Sequence, residues 1–196
     1  MNADVSFSMV AALMVQNNAK LIHGNVLDVG CGAKPYKRLF YDPVEHVYGE
    51  GVTSWTGVDI RPVGDIVADV CSMPDGQYDT VLCVDTLSYV FDVQAAMRRM
   101  AAVLKPGGTL IVIEPNVKAE DGHSFWNFPL KGLGALAQTA GLQIAELKCV
   151  SKLWNGEWEN FRGQVKYGFI LPGEIQGFID ALDDKYPNVS VLIARR

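Results

Sequence analysis

The stretch Val26-Leu27-Asp28-Val29-Gly30-Cys31-Gly32-Ala33-Lys34-Pro35-Tyr36, residues 26–36, decides how the chain is read. Apolar residues bracket an aspartate, two glycines follow one residue apart, and the run then meets a proline. Val26–Val29 reads as a short apolar strand, and Gly30 and Gly32 as the turn at its carboxyl end, where a ligand can approach bare backbone amides. In a parallel α/β sheet, ligands bind beyond the carboxyl ends of the strands, near the point where the strand order reverses. A nicotinamide-binding loop would carry a third glycine and rest a pyrophosphate on a helix N-terminus. Here Ala33, Lys34 and Pro35 follow Gly32, and the Asp28 carboxylate would repel a diphosphate. The carboxylate suits a cationic ammonium group instead, the amino-acid end of a ligand.

Outward from this stretch, strands alternate with helices. Residues 5–19 read as an opening helix and Pro35–Tyr41 as a helical fragment. Thr56–Ile60, Ile66–Val70, Asp79–Val84, Thr109–Ile113, Gln143–Val150 and Val189–Ala194 read as strands. Asp92 caps a helix carrying Val93, Met97, Met100 and Leu104 at helical spacing, and Pro106-Gly107-Gly108 stops it. A second amphipathic helix runs from Leu130 to Gly141, and Ile175, Phe178, Ile179 and Leu182 mark a last one. Strands apolar on both sides and interleaved with helices predict a parallel sheet covered on both faces. The expected fold is α/β, a single doubly wound Rossmann-like domain over 1–196, with an N-terminal helical extension at 1–24 and an aromatic insertion at 151–172. One detail resists: Arg61 to Asp65 are too few residues for a helical crossover between parallel strands.

Bulk composition narrows the partners. The 196 residues are 49% hydrophobic and 20% charged, enough for one domain with its own core. Net charge is −5 and no basic stripe is present, so nucleic acid is not an expected partner. No apolar run reaches the ~18 residues of a membrane span. Met1-Asn2-Ala3-Asp4 carries no basic charge ahead of the apolar run Met9 to Val15, so a cytoplasmic location is expected. Cys31, Cys71, Cys83 and Cys149 lack paired metal spacing and read as reduced, buried thiols, with no metal expected.

Two further strand ends carry acids. Asp59 closes Thr56-Gly57-Val58-Asp59, where a carboxylate can accept from both hydroxyls of a ribose, and Asp69 stands in Ala68-Asp69-Val70-Cys71, where one can accept from an adenine amino group. Together, "LDVGCG", "GVDI", "ADV", "YDTVLCVDTLSYV" and "LKPGGTLIVIEPN" resemble the class I S-adenosylmethionine-dependent methyltransferases, over roughly Val26 to Gly141. The resemblance implies a mostly parallel seven-stranded sheet with an antiparallel final strand. It implies S-adenosyl-L-methionine as cofactor, held by Asp28, Gly30, Cys31, Gly32, Asp59, Ile60, Asp69, Val70 and Asp85.

"HSFWNFPLKGLGALAQTAGL" resembles a subset that acts on small molecules or sugars. The expected reaction is therefore methyl transfer to a small organic acceptor, at oxygen. The alternative is a non-catalytic module that binds the cofactor or a partner through the same fold. Two loops depart from the family: Leu87-Ser88-Tyr89 stands where Leu-Glu-His is common, and Trp126-Asn127-Phe128-Pro129-Leu130 where Trp-Arg-Phe-Thr-Pro is common. The loop Asp85-Thr86-Leu87-Ser88 lacks the Asp/Asn-Pro-Pro-Tyr motif of base-amine methylators. An oxygen acceptor of high pKa benefits from a general base. His123, in the loop after the fifth strand, is the base candidate, and Tyr89 the group that orients or deprotonates the acceptor. Glu114 precedes Pro115 and equally suits a turn-stabilising role. Trp154, Trp158, Phe161 and Tyr167 of the insertion read either as a substrate lid or as cover for a sheet edge or a homodimer surface.

Overall fold

The structure, a computed structural model, describes residues 7–42, 47–48, 51–116, 122–150 and 189–196. In chain order its elements are α1 (Phe7–Asn17), β1 (Gly24–Val29), β2 (Tyr41–Asp42), β3 (Val47–Tyr48), β4 (Val52–Asp59), β5 (Ile66–Val67), β6 (Tyr78–Val84), α2 (Val93–Val103), β7 (Leu104–Pro115), α3 (Leu130–Thr139), β8 (Gln143–Val150) and β9 (Val189–Arg195). Short 3-10 turns occupy Tyr36–Leu39, Val70–Ser72 and Leu87–Tyr89. The aromatic insertion, its four aromatic residues and the helix expected around Ile175 to Leu182 lie outside the described residues.

A seven-stranded sheet in the order β5-β4-β1-β6-β7-β9-β8 forms the frame. Strands β5, β4, β1, β6 and β7 pair in parallel, whereas β9 runs antiparallel to both β7 and β8. The expected sheet, with its antiparallel final strand, is the one observed. The opening stretch lies on β1 at its centre, between β4 and β6, so the Gly30 turn opens at the reversal of strand order.

Strand alternation sorts the core into two layers. Val26, Leu82, Ile111, Ile113 and Ile193 face one side with Ala11, Leu13 and Met14 of α1. Leu27, Val29, Val81, Val112 and Leu192 face the other with Met97 and Met100 of α2 and Leu133 and Ala137 of α3. Asp92 caps α2 as expected, its Oδ1 accepting from Ala95 N–H at 2.9 Å. Of the cysteines, Cys31 and Cys83 are buried, Cys71 is half-buried, and all three are free thiols.

Several boundaries differ from the sequence reading, β4 starting at Val52 rather than Thr56 among them, and two of the differences shape the site and the sheet. The strand expected over Ile66–Val70 shrinks to Ile66–Val67, paired only as Val58 with Ile66 and Asp59 with Val67. A strand this short asks the chain to back up by only about 7 Å, so no crossover helix is needed. The short return is stapled by Asp65: its backbone N–H donates to Gly57 O at 2.8 Å, its Oδ2 accepts from Gly57 N–H at 2.7 Å, and its other oxygen pairs with Lys34. Helix α2 stops at Val103, before the Pro-Gly-Gly run. Residues 104–108 instead join β7, because Lys105 Nζ donates to both Asp79 oxygens at 2.8 Å and Gly107 N–H donates to Arg196 O at 3.0 Å.

Candidate functional site

A cavity of about 750 Å³ opens beyond the carboxyl ends of β1, β4 and β6. Its wall includes Gly30, Asp59, Ile60, Asp69, Val70 and Asp85 of the expected cofactor set, and Tyr89 of the expected catalytic pair. The local sequence explains why these residues meet. Gly30 turns at φ +67°, and a side chain there would collide with Thr86 on the neighbouring β6 loop. Gly30 and Cys31 both donate their N–H to Val58 O, at 2.8 and 3.2 Å, which draws the glycine turn against the end of β4.

Asp59 is the most heavily bonded acid of the site. Its Oδ1 accepts from Arg61 N–H at 2.9 Å and Arg61 Nε at 3.0 Å, and its Oδ2 from Gly32 N–H at 3.0 Å and Arg61 Nη2 at 3.1 Å. The Arg61 side-chain bonds, with the backbone donors, pull its carboxyl down to about 2. Arg61 also lines the cavity, although the sequence offered no motif that marks it. Asp69 Oδ1 accepts from Cys71 N–H at 2.7 Å and so caps the Val70–Ser72 turn. The apolar faces of Ala68, Ile60 and Val70 stand beside it, a surface suited to a flat base.

Asp28, Cys31 and Gly32 are not among the described residues that line the cavity. Asp28 lies behind the glycine turn, 1% exposed, and accepts from Trp55 Nε1–H at 3.2 Å. Burial pushes its carboxyl up to about 7. The Cys31 thiol, raised to about 11 by burial, packs over Gly57, where a Cβ would approach its Sγ to 2.6 Å. Gly32 reaches the site through its N–H to Asp59.

The loop after β6 is held from below. Asp85, at φ +47°, donates its N–H to Ile113 O at 2.9 Å. Glu114, fully buried, accepts from the N–H groups of Thr86, Leu87 and Ser88 at 2.8, 2.7 and 3.3 Å. It serves as a loop brace, and burial pushes its carboxyl up to about 8. Tyr89, Phe91 and Phe125 also line the cavity, and the Cys71 thiol donates to Asp92 O at 3.5 Å, which ties this segment to the turn capped by Asp69. His123 is exposed and is not among the described lining residues. Among the described residues, no group of three or more His, Cys, Asp or Glu could hold a metal ion, and no helix is long and apolar enough to cross a membrane.

Comparison with known proteins agrees with this geometry. A family model described as a methyltransferase domain matches residues 16–147. Norajmaline N-methyltransferase of Rauvolfia serpentina is 29% identical over 45% of this chain and 35% of its own length. Ubiquinone biosynthesis O-methyltransferase of Bordetella bronchiseptica is 32% identical over 48% of this chain and 44% of its own. The chain thus spans less than half the length of either curated relative. Among solved structures, the [4+2]-cyclase SpnF superposes with a TM-score of 0.64 at 21% identity, covering 100% of this chain and 85% of that one, a likeness of fold. With two thirds of its residues inside the family model and Asp59, Asp69 and Asp85 gathered round one cavity, the chain belongs to the methyltransferase domain family, with the class I S-adenosylmethionine-dependent fold.

Proposed function

We propose that this domain transfers a methyl group from S-adenosyl-L-methionine to a small organic acceptor, at oxygen. One observation carries the reading: one cavity is lined by Asp59, Ile60 and Asp69 and also by Asp85 and Tyr89. Asp59 and Asp69 offer carboxylates for ribose hydroxyls and an adenine amino group, with apolar side chains between them. Tyr89 offers a phenol to an acceptor, with apolar surface around it. The bound cofactor supplies a methyl group on a good leaving group, so the protein's work is placement.

Each residue then has a role. Gly30 lets the ligand approach the backbone, while Asp28 acts from behind the turn, its charge directed toward the cofactor's ammonium end. Cys31 packs the turn against β4. Asp59 takes the ribose, which requires the Arg61 guanidinium to yield at least some of its bonds. Tyr89 orients the acceptor hydroxyl. His123, two residues before Phe125 of the wall, takes the departing proton as general base.

Labelled S-adenosyl-L-methionine, incubated with the protein and a small-molecule extract, tests the reading. Base-labile or ether-linked label in a small-molecule fraction is the expected result; label confined to macromolecules, or none, would sink it. Heat of cofactor binding without turnover would favour the non-catalytic module instead. With the acceptor in hand, His123→Gln should lower turnover by about 10²–10⁴ and leave cofactor affinity unchanged. Retained turnover would make His123 a loop residue only.

A further inference from the structure

We propose that Tyr89, Phe91 and Phe125 form an aromatic wall that selects a planar hydroxyaromatic acceptor without an anionic substituent, a specificity that rests on the methyl-transfer reading above. Large aromatic side chains left open to solvent are uncommon unless they meet something. Here Phe91 is 75% and Phe125 58% exposed, in edge-to-face contact at 5.7 Å between ring centroids, and both line the cavity. Tyr89 stands on the same wall, 41% exposed.

The wall is built and braced. Ser88 O accepts the N–H of Phe125 at 2.7 Å and of Trp126 at 3.3 Å, tying the 125–126 segment to the β6 loop. Trp126 Nε1–H donates to Val90 O at 2.9 Å, and Ser88 N–H is itself held by Glu114. The two phenylalanines are thus carried on segments fixed to each other. Flat rings offer offset or edge-to-face contact to another flat ring, and a saturated ring gains less from them.

Charge decides the second half. Among the described lining residues, Asp59 and Asp69 are assigned to the cofactor, which leaves Asp85 and Asp92 to face the acceptor, and the lining cation, Arg61, is paired with Asp59. A carboxylate, sulfonate or phosphate on the acceptor would enter against like charge with no described cation to meet it.

The test uses the whole chain saturated with S-adenosylhomocysteine, titrated calorimetrically with three probes: 2-naphthol, its saturated analogue decahydro-2-naphthol, and 2-naphthol-6-sulfonate. The saturated and sulfonated probes are expected to bind at least tenfold more weakly than 2-naphthol. Phe125→Leu, which keeps apolar bulk, should weaken 2-naphthol about fivefold or more while S-adenosylhomocysteine binds as in the wild type. Failure of 2-naphthol to saturate, equal binding of either control probe, or an unaffected Phe125→Leu protein would overturn the proposal. Any of these with normal S-adenosylhomocysteine binding leaves methyl transfer standing; loss of S-adenosylhomocysteine binding in the wild type removes both.

Discussion

Asp59 accepts N–H bonds at both carboxylate oxygens, from Gly32 and from the backbone and guanidinium of Arg61. A carboxylate has about four lone-pair sites, so a ribose diol can enter only by displacing donors. The backbone amides are fixed by the turn, whereas the Arg61 side chain is 64% exposed and its bonds are the exchangeable ones. Two substitutions separate these roles. Asp59→Ala should weaken S-adenosylhomocysteine binding by roughly 1.5–3 kcal/mol, the worth of charge-assisted bonds to a ligand. Arg61→Ala should instead tighten it, by about two- to fivefold, since Asp59 then takes the diol without first releasing the guanidinium. Calorimetric titration of both variants checks the pair; a weaker Arg61→Ala complex would mean that the guanidinium contacts the ligand rather than competing with it.

At the scale of elements, the β6 loop is positioned by a strand it never follows in sequence. Glu114 on β7 collects three consecutive N–H groups, the single Thr86 hydroxyl proton is shared between Val84 O at 2.9 Å and Val29 O at 3.2 Å, and Gly30 leaves room for that threonine. The glycine turn and the β6 loop are therefore one braced unit. Glu114→Ala leaves buried donors unpaired and should cost about 3 kcal/mol. Glu114→Gln keeps one acceptor oxygen, but its amide N–H₂ replaces the oxygen that faces Ser88, and the cost should be about 1 kcal/mol. Hydrogen exchange at Thr86, Leu87 and Ser88 reads this directly: fast exchange in the alanine variant, partial protection in the glutamine variant. Unchanged protection in both would show that the loop holds itself.

For the whole molecule, the buried acids set the pH response. Asp28 and Glu114 have folded-state pKa values raised to about 7 and about 8, above the ordinary 3.8 and 4.5. The folded chain therefore binds these protons more tightly than the unfolded one. Their contribution is full below about pH 4 and is lost as pH rises through 7 and 8. Asp59, held down at about 2, acts in the opposite sense, and its contribution is lost as pH falls from about 4 toward 2. Asp28→Asn keeps an acceptor for Trp55 and removes the buried charge. It should gain about 2 kcal/mol at pH 8, a rise in Tm of about 4–8 °C, and gain little at pH 4. Thermal unfolding at the two pH values checks the difference, and S-adenosylhomocysteine titration should show weaker binding by the same variant. A variant equally stabilised at both values would mean that packing, not charge, is responsible.

The strands and helices were legible in the sequence because their signals are local. Val26–Val29 and Thr109–Ile113 read as buried strands from apolar continuity, α2 from the spacing of Val93, Met97 and Met100 behind Asp92, and the site's location from glycines and acids at strand ends. Those signals need only the chain's own periodicity and the geometry of parallel sheets. What tertiary structure alone decided depends on residues brought together from afar. The grip of Glu114 on residues 86–88 is one case, and the placement of Phe125 beside Phe91 is another. The bidentate hold of Arg61 on Asp59 spans only two residues, yet it arises because the glycine turn and the shortened β5 fix where that carboxylate points. Periodicity carries no record of such pairings, since a side chain's hydrogen-bond partner is set by register and crossover length rather than by its neighbours in the chain.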